Sequence, residues 1–175
     1  ISTELGPRDI PEKVATASEM IFLEGYLFDK NQGKEAFRQA SRMTRTAGGR
    51  AGIAISDPFC FNRHRNDFIE MIKNDLDFVI GNEHEIKALY ETNDLEAAMS
   101  KTADMIKLMV CTRSGDGVTI MSNGERHDIP VNKITPVDAT GAGDQFAAGF
   151  IYGMVTGRDL ETCGKMGNLC AAEVI

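Results

Sequence analysis

Short apolar runs alternate along this chain with stretches whose apolar residues recur every three to four positions, the pattern of buried strands separated by amphipathic helices. Ile21-Phe22-Leu23 reads as a strand. Gly33 to Ala47 reads as a helix with Ala36, Phe37, Ala40, Met43 and Ala47 on one face, closed by Gly48-Gly49, and Ala51 to Ile55 reads as the next strand. These three form a βαβ unit, whose crossover is right-handed by rule. The pattern repeats through a helix around Asp67 to Lys73 and a strand at Phe78 to Gly81. It continues with helices near Glu83 to Tyr90 and Asp94 to Thr102, and a strand at Leu108 to Cys111.

The alternation then breaks. Val118 to Met121 and Arg126 to Ile129 flank Asn123-Gly124, a hairpin signal that adds antiparallel strands to a parallel sheet. Thr135 to Val137 reads as a last strand leading into a helix from Gly141 to about Val155. A final helix carries Leu160, Cys163, Gly167, Cys170, Ala171 and Val174 on one face and runs to the last residue, Ile175, without a stop signal. The predicted class is α/β, a doubly wound, mainly parallel sheet flanked by helices, with an antiparallel hairpin near residues 118–129. There are no repeats or long linkers, and no internal domain boundary is placed.

Composition narrows the function. The chain has 175 residues, 42% of them hydrophobic, enough for one core. A net charge of −7 argues against nucleic acid as a partner, because phosphate-backbone binding needs clustered Lys and Arg. The longest apolar run, Phe146 to Val155, is about half of what a bilayer requires, and no basic-then-apolar leader opens the chain, so no membrane partner and a cytoplasmic location are expected. Cys60, Cys111, Cys163 and Cys170 show no paired spacing and read as buried structural thiols. His64, His84 and His127 are scattered, which leaves a metal cluster or a Ser-His dyad without support.

The candidate chemistry lies in Asp138-Ala139-Thr140-Gly141-Ala142-Gly143-Asp144. A Gly-Ala-Gly turn opening a helix leaves backbone N–H groups unpaired at the positive end of the helix dipole, with no side chains to hold an anion away. That arrangement suits a phosphate. Asp144 gains from the same dipole, and beside an anion site it is placed to take a proton from an attacking hydroxyl. The dinucleotide fingerprint would need glycine where Phe146 stands, and the Walker loop needs Gly-Lys-Ser/Thr, which occurs nowhere. Read without further context, the same residues also fit a plain helix cap.

Residues 138–144, with the Ala/Gly-rich continuation through Phe150, resemble the second signature of the ribokinase-like, PfkB-type carbohydrate kinases, the family of ribokinase, fructokinase and adenosine kinase. The resemblance implies that Gly141, Ala142 and Gly143 form an anion hole for the transferred phosphate and that Asp144 is the catalytic base. Asn82-Glu83-His84-Glu85, after the strand at Phe78, is similar to the family's Asn-x-x-Glu motif, so Asn82 and Glu85 would organise Mg2+ and phosphates through water. By their types alone they equally form a helix cap. Thr112, Gly115 and Gly117 match the family's Thr-x-x-Gly-x-Gly turn near the nucleotide, although the same sequence makes an ordinary strand-to-hairpin turn. Asn168 falls where relatives line the adenine pocket, and also reads as a packing residue. Asp138 and Thr140 would contribute to a monovalent-cation site.

The resemblance covers the whole chain but only about the C-terminal half of the family, the nucleotide-binding part; the first Gly-Gly signature, much of the sugar pocket and the lid belong to the other half. It implies an ATP- and Mg2+-dependent kinase that phosphorylates a primary hydroxyl of a small-molecule sugar or nucleoside, with a homodimer left open. Leu23-Glu24-Gly25-Tyr26 and Ser56-Asp57-Pro58-Phe59-Cys60 look more like the adenosine-kinase-like branch than like ribokinase. The alternatives are a pyridoxal or hydroxymethylpyrimidine kinase of the same fold, and a non-catalytic nucleotide-binding regulatory protein.

Overall fold

The computed structural model describes residues 4–56, 58–132 and 134–175, with the side chains of residues 58–62 outside the description. Four parallel strands form first: β1 (Met20–Glu24), β2 (Arg50–Ala54), β3 (Phe78–Asn82) and β4 (Leu108–Thr112). The hairpin β5 (Val118–Ser122) and β6 (Glu125–Ile129) then adds antiparallel strands beyond β4. The spatial order is β1-β2-β3-β4-β5-β6. Asn123 and Gly124 turn the hairpin with φ of 52° and 81°, the left-handed pair that their sequence announces.

Every parallel crossover steps in the same direction, so right-handed connections deliver α2 (Asn31–Thr46), α3 (Pro58–Asp75), α4 (Glu83–Ala88) and α5 (Leu95–Ala103) to one face of the sheet. A short α1 (Glu12–Ala17) precedes β1 and packs on α2. The other face is covered by α6 (Ala142–Val155) and α7 (Leu160–Ala172), an antiparallel pair that follows the hairpin. Side chains of the central strands alternate between two cores, as the period of two requires. Val79 and Met109 join Phe37, Ile53, Phe68 and Ile86 on the first face, whereas Phe78, Ile80 and Val110 join Phe146 and Phe150 on the second. Helices α6 and α7 approach closely because glycines stand at their contact: a Cβ on Gly149 would lie 2.7 Å from the Met166 carbonyl oxygen.

Three readings of the sequence need correction. Thr135 to Val137 is not a strand: the sheet ends at β6, residues 134–140 are exposed, and Val137 is 95% accessible. Pro136 has no N–H to give a ladder, and nothing covers the β-branched side chains beside it. The last helix stops at Ala172, so Val174, expected on its buried face, is 43% exposed. Helix α3 begins at Pro58, well before Asp67, and bends at His64, whose φ/ψ of −129°/21° is not helical.

Gly52 sits in register between Phe22 and Phe78, whose rings stack with centroids 6.0 Å apart and planes 7° from parallel. A Cβ on Gly52 would fall 2.1 Å from the Phe78 ring. Gly52→Ala should therefore force that ring to move and cost about 1–3 kcal/mol in a urea unfolding curve. A loss under ~0.5 kcal/mol would contradict the packing described.

Candidate functional site

The carboxyl ends of the parallel strands gather the candidate residues. Asn82 closes β3 and Thr112 closes β4, and the two are register partners on adjacent strands. Asn82 caps α4: its Oδ1 accepts from the Glu85 amide at 2.9 Å, and Glu85 Oε2 accepts from the Asn82 amide at 2.9 Å. A third bond runs from Asn82 Nδ2 to Glu85 Oε1 at 2.8 Å. The cap that the residue types allow is thus fully formed, and it fixes the Glu85 carboxylate at the strand end.

The turn after β4 is tied to this cap. Arg113 Nε donates to Glu83 Oε1 at 3.0 Å, and the carboxylate holds the guanidinium in its charged form by raising its pKa. The Arg113 amide donates to the Gly117 carbonyl at 2.7 Å, closing a turn in which Gly117 has φ +87°. Gly117 lies against the Ile129 carbonyl, where a Cβ would come within 2.0 Å, while no atom stands within 4 Å of a Cβ on Gly115. Asn168 reaches the same place from α7, its Nδ2 donating to the carbonyls of Ile129 and Pro130 at 3.5 and 3.4 Å. Thr112, Gly117 and Asn168 therefore surround one rim of the sheet.

The loop before α6 makes the expected glycine turn at a helix start, but one of the amides expected to be free, that of Ala142, is paired. Asp138 Oδ1 accepts from the Thr140 amide at 2.9 Å and the Thr140 hydroxyl at 2.7 Å, and these bonds hold its carboxyl below the usual range. The Ala142 amide donates to the Ala139 carbonyl at 3.2 Å, and Gly141 turns the chain at φ +82°. At this φ a β-branched or bulky residue would be strained. The first helical bond runs from the Gln145 amide to the Gly141 carbonyl, at 3.0 Å. The amides of Gly143 and Asp144 have no acceptor among the described residues, and a Cβ on Gly141 or Gly143 would meet nothing within 4 Å. An open nest of unpaired N–H groups at a helix start is what a phosphate oxygen needs.

Two residues here carried no site role in the sequence reading. Glu24 ends β1, and its Oε2 accepts from the Ser56 hydroxyl at 3.1 Å. That hydroxyl in turn accepts from the Gly25 amide at 3.1 Å, with Ser56 held at φ +63°. Burial raises the Glu24 pKa, the Ser56 bond opposes the rise, and the negative charge of Asp144 adds to it. The charge of Asp144 is thus felt at the carboxyl end of β1. Glu24 is the last residue of β1 and Ser56 follows β2, both at the carboxyl edge, a positional signal that could have found them.

Among the described residues no three His, Cys, Asp or Glu converge to hold a metal. The acceptor oxygens of Asn82 and Glu85 suit a water-mediated contact with a hard cation, since Mg2+ keeps several waters. Cys111 and Cys163 are buried, and burial pushes the Cys111 thiol up to about 12, which keeps it unreactive. Cys170 is half-buried, and the Cys60 side chain lies outside the described residues. No helix among the described residues is long and apolar enough to cross a membrane.

The chain belongs to the pfkB family of carbohydrate kinases, whose pattern matches residues 3–175. It is 39% identical to adenosine kinase from Sinorhizobium meliloti, superposing with a TM-score of 0.93 over 97% of this chain and 53% of that one. It is 36% identical over 115 residues to a cytidine kinase of Thermococcus kodakarensis, covering 63% of this chain and 41% of the relative. It is also 35% identical over 115 residues to an uncharacterized sugar kinase of Archaeoglobus fulgidus, covering 65% and 45%. The chain thus spans about half the length of the relatives it matches.

The Glu24 environment makes a pH prediction. Its folded-state pKa is raised, so ionisation costs stability at neutral pH and costs nothing below both its folded and unfolded values. Glu24→Gln should raise Tm at pH 7, and the gain should vanish as pH falls through the raised value toward the ordinary carboxylate range. A gain that persists unchanged at pH 3 would contradict the assignment.

Proposed function

We propose that this chain is the nucleotide-side portion of a kinase that transfers the γ-phosphate of ATP to a primary hydroxyl of a sugar or nucleoside. The observation that carries the reading is the open loop before α6, where unpaired amides and the Asp144 carboxylate share one helix start. Its relatives are named as adenosine, cytidine and sugar kinases, which favours such an acceptor over a vitamin.

In this reading the amides of Gly141, Gly143 and Asp144, with Ala142 shaping the turn, face the transferring phosphate and stabilise charge developing on its oxygens. Asp144 accepts the proton of the acceptor hydroxyl as that oxygen bonds to phosphorus and the bond to the leaving diphosphate oxygen breaks. Glu24, held by Ser56, adds a second carboxylate to the same site. Asn82 and Glu85 would hold Mg2+ through its waters, and the bound ion would neutralise phosphate charge during transfer. Thr112, Gly115, Gly117 and Asn168 form the rim for the nucleoside end of ATP.

In the complete protein, Asp144→Asn should lower phosphoryl transfer at least ~10²-fold, the scale of a lost general base, while ATP affinity measured by calorimetry stays within a few-fold. Turnover within about tenfold of the parent would remove Asp144 from this role.

A further inference from the structure

The opposite end of the sheet carries a second concave surface. A cavity of about 280 Å³ opens at the amino ends of β2, β3 and β4, between them and the end of α6. Part of its wall is apolar, with Met154 and Leu160, and its rim carries Arg50, Lys107, Arg158 and a single carboxylate, Asp77.

The charges do not balance locally. Asp77 is buried, and its oxygens are already engaged: Oδ2 accepts from the Ala51 amide at 3.0 Å and pairs with Arg45 Nε at 3.2 Å, and Oδ1 accepts from Lys107 Nζ at 3.2 Å. The exposed guanidiniums of Arg50 and Arg158 have no partner among the described residues. In a chain of net charge −7, two uncompensated guanidiniums facing one cavity run against the general balance. Guanidinium forks match the oxygens of a phosphate, and an apolar wall beside them takes a carbon body rather than a bare ion.

We propose that this cavity binds a phosphate monoester with an apolar portion, its phosphate held by Arg50 and Arg158 and its body against Met154 and Leu160. The site is separate from the loop at Gly141–Asp144, because α6 begins at that loop and its 14 residues carry the chain about 21 Å to the cavity. The proposal does not rest on the kinase reading.

The test uses the complete protein with its methyl groups isotope-labelled and the nucleotide site saturated with a non-hydrolysable ATP analogue. Phenyl phosphate is titrated while the Met154 and Leu160 methyl resonances are followed. Saturable shifts at both are expected. The Arg50→Gln/Arg158→Gln variant should weaken binding at least about tenfold, while Arg42→Gln, an exposed change on α2, should leave it unchanged. Both cavity arginines are exposed, so the variant keeps its fold, and a melting curve verifies this. Unmoved Met154 and Leu160 methyls, or equal affinity in the double variant, would overturn the proposal.

Discussion

The site depends on burying β3 and β4 from both sides. Phe78, Ile80 and Val110 point into one core, Val79 and Met109 into the other, and all are inaccessible or nearly so. A one-residue slip in either strand would exchange the two sets of side chains. Because that is forbidden on both faces at once, Asn82 and Thr112 finish side by side at the carboxyl edge. The cap on α4 and the turn at Gly117 follow from where those two residues stop.

The second face is built differently from the first. Its helices are not crossovers but the late pair α6 and α7, pressed onto the sheet through Phe146, Phe150 and Cys163. Burying Phe146 and Ala147 fixes where α6 starts, and Gly141 at φ +82° turns the incoming chain so that the first amides are left open. Packing energy thus holds an unsatisfied helix end in place, and pre-set amides of this kind need no reorganisation when charge arrives. Glu24 and Asp144 add the opposing field of two carboxylates at the edge of the same space.

What the sequence made legible was local. The hairpin at Asn123-Gly124 and the Gly-Ala-Gly turn each carry their conformation in a few adjacent residues and form as read, and the stripe along α2 buries Ala36, Phe37 and Ala40 but not Ala47, which lies past the helix end and is exposed. The strand expected at 135–137 failed because apolar β-branched residues make a strand only beside a neighbour, and none lies there. The bend of α3 at His64 was also hidden. His64 Nδ1 lies 3.1 Å from Lys34 Nζ, thirty positions away in sequence, and Lys34 also pairs with Asp67, so the local pattern held no sign of it. The Glu24–Ser56 pair is separated by 32 positions and meets only once β1 and β2 align. The roles of Asn82 and Glu85 were ambiguous for another reason: a helix cap and a hydrated-cation contact use the same oxygens.

In the proposed reaction the amides at the start of α6 receive the phosphate. The most direct test of that contact is a titration of the 15N-labelled complete protein with a non-hydrolysable ATP analogue and Mg2+, following the amide resonances of Gly141, Gly143 and Asp144. Saturable shifts are expected at all three, rising together with those of Gly115 and Gly117 across the rim. Saturable binding that leaves Gly141, Gly143 and Asp144 unmoved would contradict it.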